Sequence, residues 1–171
     1  MDILSGVGSK ADLEKARDGY DQTSLQAQLL QHWLDTPLKV RKWSVDGDHQ
    51  KQLSTLMLTS FPSGWFHPPD YSFALVIGRA VLLSMAMFTP LDASLGYMMW
   101  NACTHPKCRR QGLVSRIIRG AQTIVQREEK ILQLKVETKN PHAITLYKKH
   151  NFIVLEETDD VLLMQWKPKT F

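Results

Sequence analysis

A chain of 171 residues is long enough for one domain with its own core and short for two. A hydrophobic share of 43% with 22% charged residues is that of an ordinary globular protein. The net charge of +4 suits an anionic ligand, but a surplus of this size is also common on a solvated surface and selects no function.

Two cysteines, Cys103 and Cys108, are too few and too close for a disulfide framework, and His105 between them does not complete a zinc set. No run approaches the roughly 20 apolar residues of a membrane span. Met1–Lys10 lacks a basic segment followed by an apolar one. The expectation is a reduced, cytoplasmic or nuclear protein with no membrane and no metal.

In chain order, residues 1–9 are small and polar. Leu13, Ala16 and Tyr20, then Leu25, Leu29 and Trp33, recur at helical spacing, with Thr23 and Gln26 as a capping box and Pro37 as the stop. Residues 1–37 therefore read as a helical extension ahead of a domain at 38–171. Leu38–Val45 predicts a strand, and Asp46 or Asp48 caps a helix carrying Leu53, Leu56 and Met57. Ser60–Asp70, with Pro62, Gly64, Pro68 and Pro69, predicts a loop. Tyr71–Ile77, Val81–Phe88 and Leu95–Cys103 are apolar runs separated by turn signals, which predicts an antiparallel meander. Leu113, Ile117, Ala121 and Ile124 share one face of a helix that starts at Gly112. Leu132, Leu134 and Val136 alternate as a strand, and Pro141 opens a helix running through His150. Phe152–Leu155 and Val161–Trp166 close the chain as strands. The predicted order is β-α-β-β-β-α-β-α-β-β, an α/β fold with a mixed sheet flanked by helices.

The stretch Thr104-His105-Pro106-Lys107-Cys108-Arg109-Arg110-Gln111-Gly112-Leu113-Val114-Ser115 runs from a strand end through a cationic turn into a helix. Unpaired amides at a helix N-terminus bind phosphate, Gly112 allows close approach, and Lys107, Arg109 and Arg110 add charge. A plain strand-to-helix turn with a basic surface has the same residues. Further on, Asn140 ahead of Pro141 makes an N-cap, and Tyr147 beside Leu146 suits a core aromatic.

These two stretches resemble the two motifs of the GNAT superfamily of N-acetyltransferases. Arg109–Val114 is similar to its Arg/Gln-x-x-Gly-x-Gly/Ala motif, with His105-Pro106 where the family has its Pro and Val114 in place of a small residue. Asn140–Phe152 is similar to N-x-x-A-x-x-L-Y-x-x-x-G-F, with Asn151 in place of Gly, a substitution that a left-handed helix end tolerates. The likeness covers residues 38–167 in element order and 104–152 at residue level. It implies a GNAT-like fold and acetyl-CoA as cosubstrate. Arg109, Arg110, Gln111, Gly112, Leu113, Val114 and Ser115 would hold the diphosphate. Ala102, Cys103, Thr104 and Asn140 would hold the pantetheine arm, and Tyr147 would both contact the cosubstrate and give the leaving thiolate its proton.

Carboxylates that serve as base in some members are replaced here by Met99 and Lys135. Glu137, on the same strand face as Lys135, is the best candidate; His67 and His105 titrate in the useful range, and water carrying the proton away is the route without a base. The loop bearing Trp65, Phe66 and His67 sits where the family places its acceptor. The reading is acetyl transfer to a primary amine by direct attack, with a small-molecule acceptor preferred over a peptide or protein amine. A silent acetyl-CoA-binding module is the alternative within the family. A nucleic-acid-binding domain is disfavoured, because aromatic and basic residues do not interleave. A homodimer through the N-terminal helices or a sheet edge is left open.

Overall fold

The computed structural model describes residues 40–44, 47–60, 73–78 and 82–169. The expected extension at 1–37 and the loop bearing Trp65, Phe66 and His67 lie outside them. The described elements are β1 (Arg41–Ser44), α1 (Gly47–Ser60), β2 (Phe73–Gly78), β3 (Leu82–Pro90), β4 (Gly96–Thr104), α2 (Leu113–Arg127), β5 (Ile131–Glu137), α3 (Pro141–Lys149), β6 (Ile153–Glu157) and β7 (Val161–Trp166). This is the order read from the sequence, with boundaries moved by a few residues. Among the described residues β3 and β6 each run two residues past the expected end, to Pro90 and Glu157. Short 3-10 turns at Asp92–Ser94 and Pro106–Cys108 flank β4.

The strands form one seven-stranded sheet in the order β1-β2-β3-β4-β5-β7-β6. Every pairing is antiparallel except β4 with β5, which α2 connects as a crossover. Helices cover both faces. Phe73, Leu75 and Ile77 of β2 pack on the α2 side with Ile117, Ile118 and Ala121. Their alternates Ala74 and Val76 pack on the α1 side with Leu53, Leu56 and Met57. Burial on both faces explains why β2 and β3 read as unbroken apolar runs instead of alternating ones. The α2 helix buries Leu113, Ile117, Ile118, Ala121 and Val125, a stripe at helical spacing.

One irregularity shapes the middle of the sheet. Between Met85 and Met87 of β3 the register shifts, so Asn101 and Ala102 of β4 together oppose Ala86. Asn101 takes the left-handed conformation with φ 50°, which Asn tolerates better than most residues, and the resulting bulge bends β4. On its other side β4 pairs with β5 only from Gly96↔Ile131 to Met99↔Leu134. Beyond that pair β4 stays with β3 through Thr104, while β5 stays with β7 through Glu137. The two parallel strands therefore part in the middle of the sheet.

Candidate active site

A cleft of about 690 Å³ opens where β4 and β5 separate. Its floor is Ala102, Cys103 and Thr104 of β4, and one wall is the turn and helix start at Cys108, Arg109, Arg110 and Gly112–Ser115. The opposite wall is α3, through Asn140, His142, Ala143 and Leu146. Ser60, at the end of α1 on the other face of the sheet, also contributes. Residues from both layers thus meet at one opening.

The turn before α2 is built by local chemistry. His105 Nδ1 accepts the Lys107 N–H at 3.2 Å, and Cys108 N–H donates to the His105 carbonyl at 2.8 Å. An accepting Nδ1 leaves the ring proton on Nε2. Burial, with Arg109 and Lys107 nearby, holds the His105 pKa below its ordinary value. Arg110 and Gly112 then take left-handed conformations, φ 63° and 71°, to turn the chain onto the helix. The N-cap of α2 is Gly112, which has no side chain to cap it, so the first-turn amides, which have no intrahelical partner, start at the cleft that Gly112–Ser115 line. A Cβ built at Gly112 would meet nothing within 4 Å, so the approach to these amides is open. With Arg109 and Arg110 exposed alongside, the turn fits a diphosphate.

Toward the sheet the lining changes character. Past Met99 β4 no longer pairs with β5, and Ala102–Thr104 line the cleft, where an extended ligand carrying amides can lie along the strand. This end of β4 is braced from behind. Ser84 Oγ donates to the Cys103 carbonyl at 2.8 Å, which spends its one proton, so Thr104 Oγ1 donates to Ser84 Oγ at 3.0 Å. Asn140 Oδ1 accepts the Ala143 N–H at 3.2 Å and caps α3, leaving its Nδ2 to turn to a ligand. The capping and binding roles considered for this residue are therefore compatible.

Tyr147 is half-buried, with its ring edge-on to Phe152 at a centroid distance of 5.9 Å. Burial pushes its phenol up to about 12, with a smaller push from Cys103. Burial also raises the Cys103 thiol to about 11, against a hydrogen bond from Ser60 and the charge of Arg109. Both groups hold their protons at neutral pH. Tyr147 follows Leu146 of the lining in α3 but, like Gln111, is not itself in the lining. Glu137 is exposed at the end of β5, where Thr138 N–H donates to the Asp160 carbonyl at 2.9 Å and joins β5 to the β6–β7 turn. The end of β6 carries exposed Glu156 and Glu157, and the turn carries exposed Asp159 and Asp160.

The cleft thus brings together Ala102, Cys103, Thr104, Arg109, Arg110, Gly112, Leu113, Val114, Ser115 and Asn140. Sequence reasoning missed Ser60, Cys108, His142, Ala143 and Leu146 as lining. Ala143 and Leu146 are letters of the second motif, so a signal existed for them. Ser60 and Cys108 are brought in only by the packing of α1 and by the 3-10 turn.

A parallel strand pair that opens behind a bulge, facing an uncapped helix start flanked by arginines, defines an acyl-CoA-dependent acyltransferase site. The chain belongs to the Acetyltransferase (GNAT) family, whose profile matches residues 28–152. Among solved structures it is similar to the ribosomal-protein-S18-alanine N-acetyltransferase of Escherichia coli, at 15% identity and a TM-score of 0.65 over 78% of this chain and 96% of that one. Arabidopsis thaliana Naa50 in complex with the bisubstrate analogue CoA-Ac-MVNAL follows at 16% identity, TM-score 0.61, over 75% and 98%. The PaiA N-acetyltransferase of Thermoplasma acidophilum in complex with coenzyme A is 12% identical, TM-score 0.61, over 75% and 99%. Comparison with curated proteins returned no match. The protein is an acetyltransferase with acetyl-CoA as cosubstrate. Among the described residues no helix is long and apolar enough to cross a membrane.

Proposed function

We propose that the enzyme moves the acetyl group to a primary amine by direct attack, and that the acceptor is a small cationic amine. The observation that carries this reading is the opening between β4 and β5. It leaves Ala102–Thr104 of β4 in the floor of the cleft, with Ser60 of α1 at the same opening. Exposed Glu137, Glu156, Glu157, Asp159 and Asp160 sit together at the neighbouring ends of β5, β6 and β7, and such a surface supports a cationic acceptor over an anionic one. The chain runs on from Ser60 to Trp65, Phe66 and His67, which supports their assignment to the acceptor side.

In this mechanism the cosubstrate supplies an activated acetyl thioester. The uncapped amides of α2, with Arg109 and Arg110, hold its diphosphate. Ala102–Thr104 of β4 and Asn140 align its arm. Tyr147, protonated at neutral pH, gives the departing thiolate its proton, and Glu137 takes the proton of the amine, directly or through water. The Cys103 thiol lies in the floor of the cleft, but with its pKa near 11 it is not a nucleophile at neutral pH, which supports direct transfer over an acetyl-enzyme. A peptide or protein amine is the second reading, motivated by two fold neighbours, one named for an alanine of ribosomal protein S18 and one in complex with the bisubstrate analogue CoA-Ac-MVNAL.

Calorimetry with CoA followed by a thiol-release assay over small amines and peptides tests the proposal. The expected results are saturable CoA binding, turnover with small cationic amines, and intersecting double-reciprocal plots. Turnover confined to peptides would replace the acceptor assignment. Parallel plots would overturn direct attack.

A further inference from the structure

Ser115 lies in the first turn of α2 and lines the cleft with the amides that face the diphosphate. Among the described residues its hydroxyl has one partner, the ring of His150 from the end of α3, with Nε2 at 2.9 Å from Oγ. His150 is itself held from two directions. Gln122, two turns along the same face of α2, donates from Nε2 to the His150 carbonyl at 2.7 Å. The His150 N–H closes the end of α3 on the carbonyls of Leu146 and Tyr147 at 3.2 and 3.0 Å. Asn151 follows in the left-handed conformation, φ 65°, and turns the chain back to the core at Phe152. The backbone that carries the imidazole is therefore fixed at this end of α3, and the ring reaches Ser115 from there.

A serine hydroxyl at a helix start can serve an anion only as a donor. If its proton goes to a protein acceptor, its lone pairs face the anion and repel it. An imidazole Nε2–H aimed at Oγ removes that alternative, because it occupies the oxygen's lone pair and frees the hydroxyl proton for the phosphate. We infer that His150 is a positioning residue for acetyl-CoA, setting the Ser115 hydroxyl as a donor to its diphosphate in the chain Nε2–H···Oγ–H···O–P. This rests on the reading of the cleft as the seat of the cosubstrate. Burial and the cations Arg119 and Lys149 hold the His150 pKa below its ordinary value, so the ring is neutral at pH 7 and acts by orientation, not by added charge.

The experiment is a double-mutant cycle on the full chain, with CoA affinity measured by calorimetry. Ser115→Ala and His150→Phe should each weaken CoA binding about tenfold, the worth of one hydrogen bond to a charged group. The double variant should be no weaker than Ser115→Ala alone, because His150 acts only through Ser115. His150→Gln, whose amide reaches the position of Nε2, should restore most of the affinity. In steady-state assays the loss should fall on KM for acetyl-CoA and not on kcat. Nitrogen NMR of the His150 ring should show Nε2 protonated in the CoA complex. Additive effects in the cycle, or unchanged affinity in Ser115→Ala, would overturn the proposal even if His150→Phe proves unstable. Wild-type protein that fails to bind CoA would instead overturn the assignment of the cleft.

Discussion

At the residue scale, the chemistry turns on which groups keep their protons. Tyr147 is set between an apolar neighbour, Phe152, and a protonated thiol, Cys103, and with a pKa near 12 it is a phenol throughout the physiological range. A general acid must be protonated before it can act, so the raised value suits the role. Replacing Tyr147 with Phe keeps the ring that packs on Phe152 and removes only the hydroxyl. The expected result is a fall in kcat of about 100-fold with little change in melting temperature, read by single-turnover kinetics and thermal unfolding. Glu137→Gln should lower kcat/KM for the amine about tenfold or more while CoA affinity is retained. An unchanged rate would assign the amine's proton to water. The motif residues announced the first of these positions. Glu137 emerged only by elimination, because Met99 and Lys135 occupy the positions where a carboxylate was sought.

At the element scale, the site exists because β4 and β5 pair for four residues and then part. That short ladder begins at Gly96, whose position opposite Ile131 leaves no room for a side chain. A Cβ there would overlap the Ile131 carbonyl. Gly96→Ala should therefore force the strands apart at their start and destabilise the protein by about 3 kcal/mol, measured by urea unfolding. Loss of acetyl transfer should accompany it, since β4 carries the floor of the cleft. The element order was legible in the sequence because each helix has its own apolar stripe and each strand its own turn signals. The splay was not. Met98–Thr104 carries no Gly or Pro to mark a bulge, and the left-handed turn at Asn101 is imposed by the pairing with β3. Bulges are properties of a ladder, so a single strand read alone does not show them.

At the scale of the whole molecule, buried titratable groups link stability to pH in two windows. His105 and His150 have folded pKa values below the ordinary 6.5. The unfolded chain then binds more protons below that pH. Their contribution is present above about pH 6.5 and is lost as the pH falls toward the folded values. Cys103 and Tyr147 are shifted the other way, from 9.0 to about 11 and from 10.0 to about 12. Their contribution is present below pH 9 and is lost as the pH rises through the folded values. Urea midpoints should therefore rise from pH 5 to about 7, level off, and fall again above about 9. A midpoint that is flat across the acid window would show that the two histidines titrate as free imidazoles.

By itself the sequence determined the helices, the strands and their order, because hydrophobic spacing and turn residues act over a few positions. It also determined the two ends of the cosubstrate site, since a cationic Gly turn and an Asn-Pro helix start are local chemical features. The tertiary structure alone decided how those ends meet. Parting of the β4–β5 pair, the bracing of β4 by Ser84, the entry of Ser60 from the opposite layer and the His150–Ser115 pair all join residues from 19 to 44 positions or more apart. Contacts of that separation depend on register and packing, and neither is written in the spacing of a single segment.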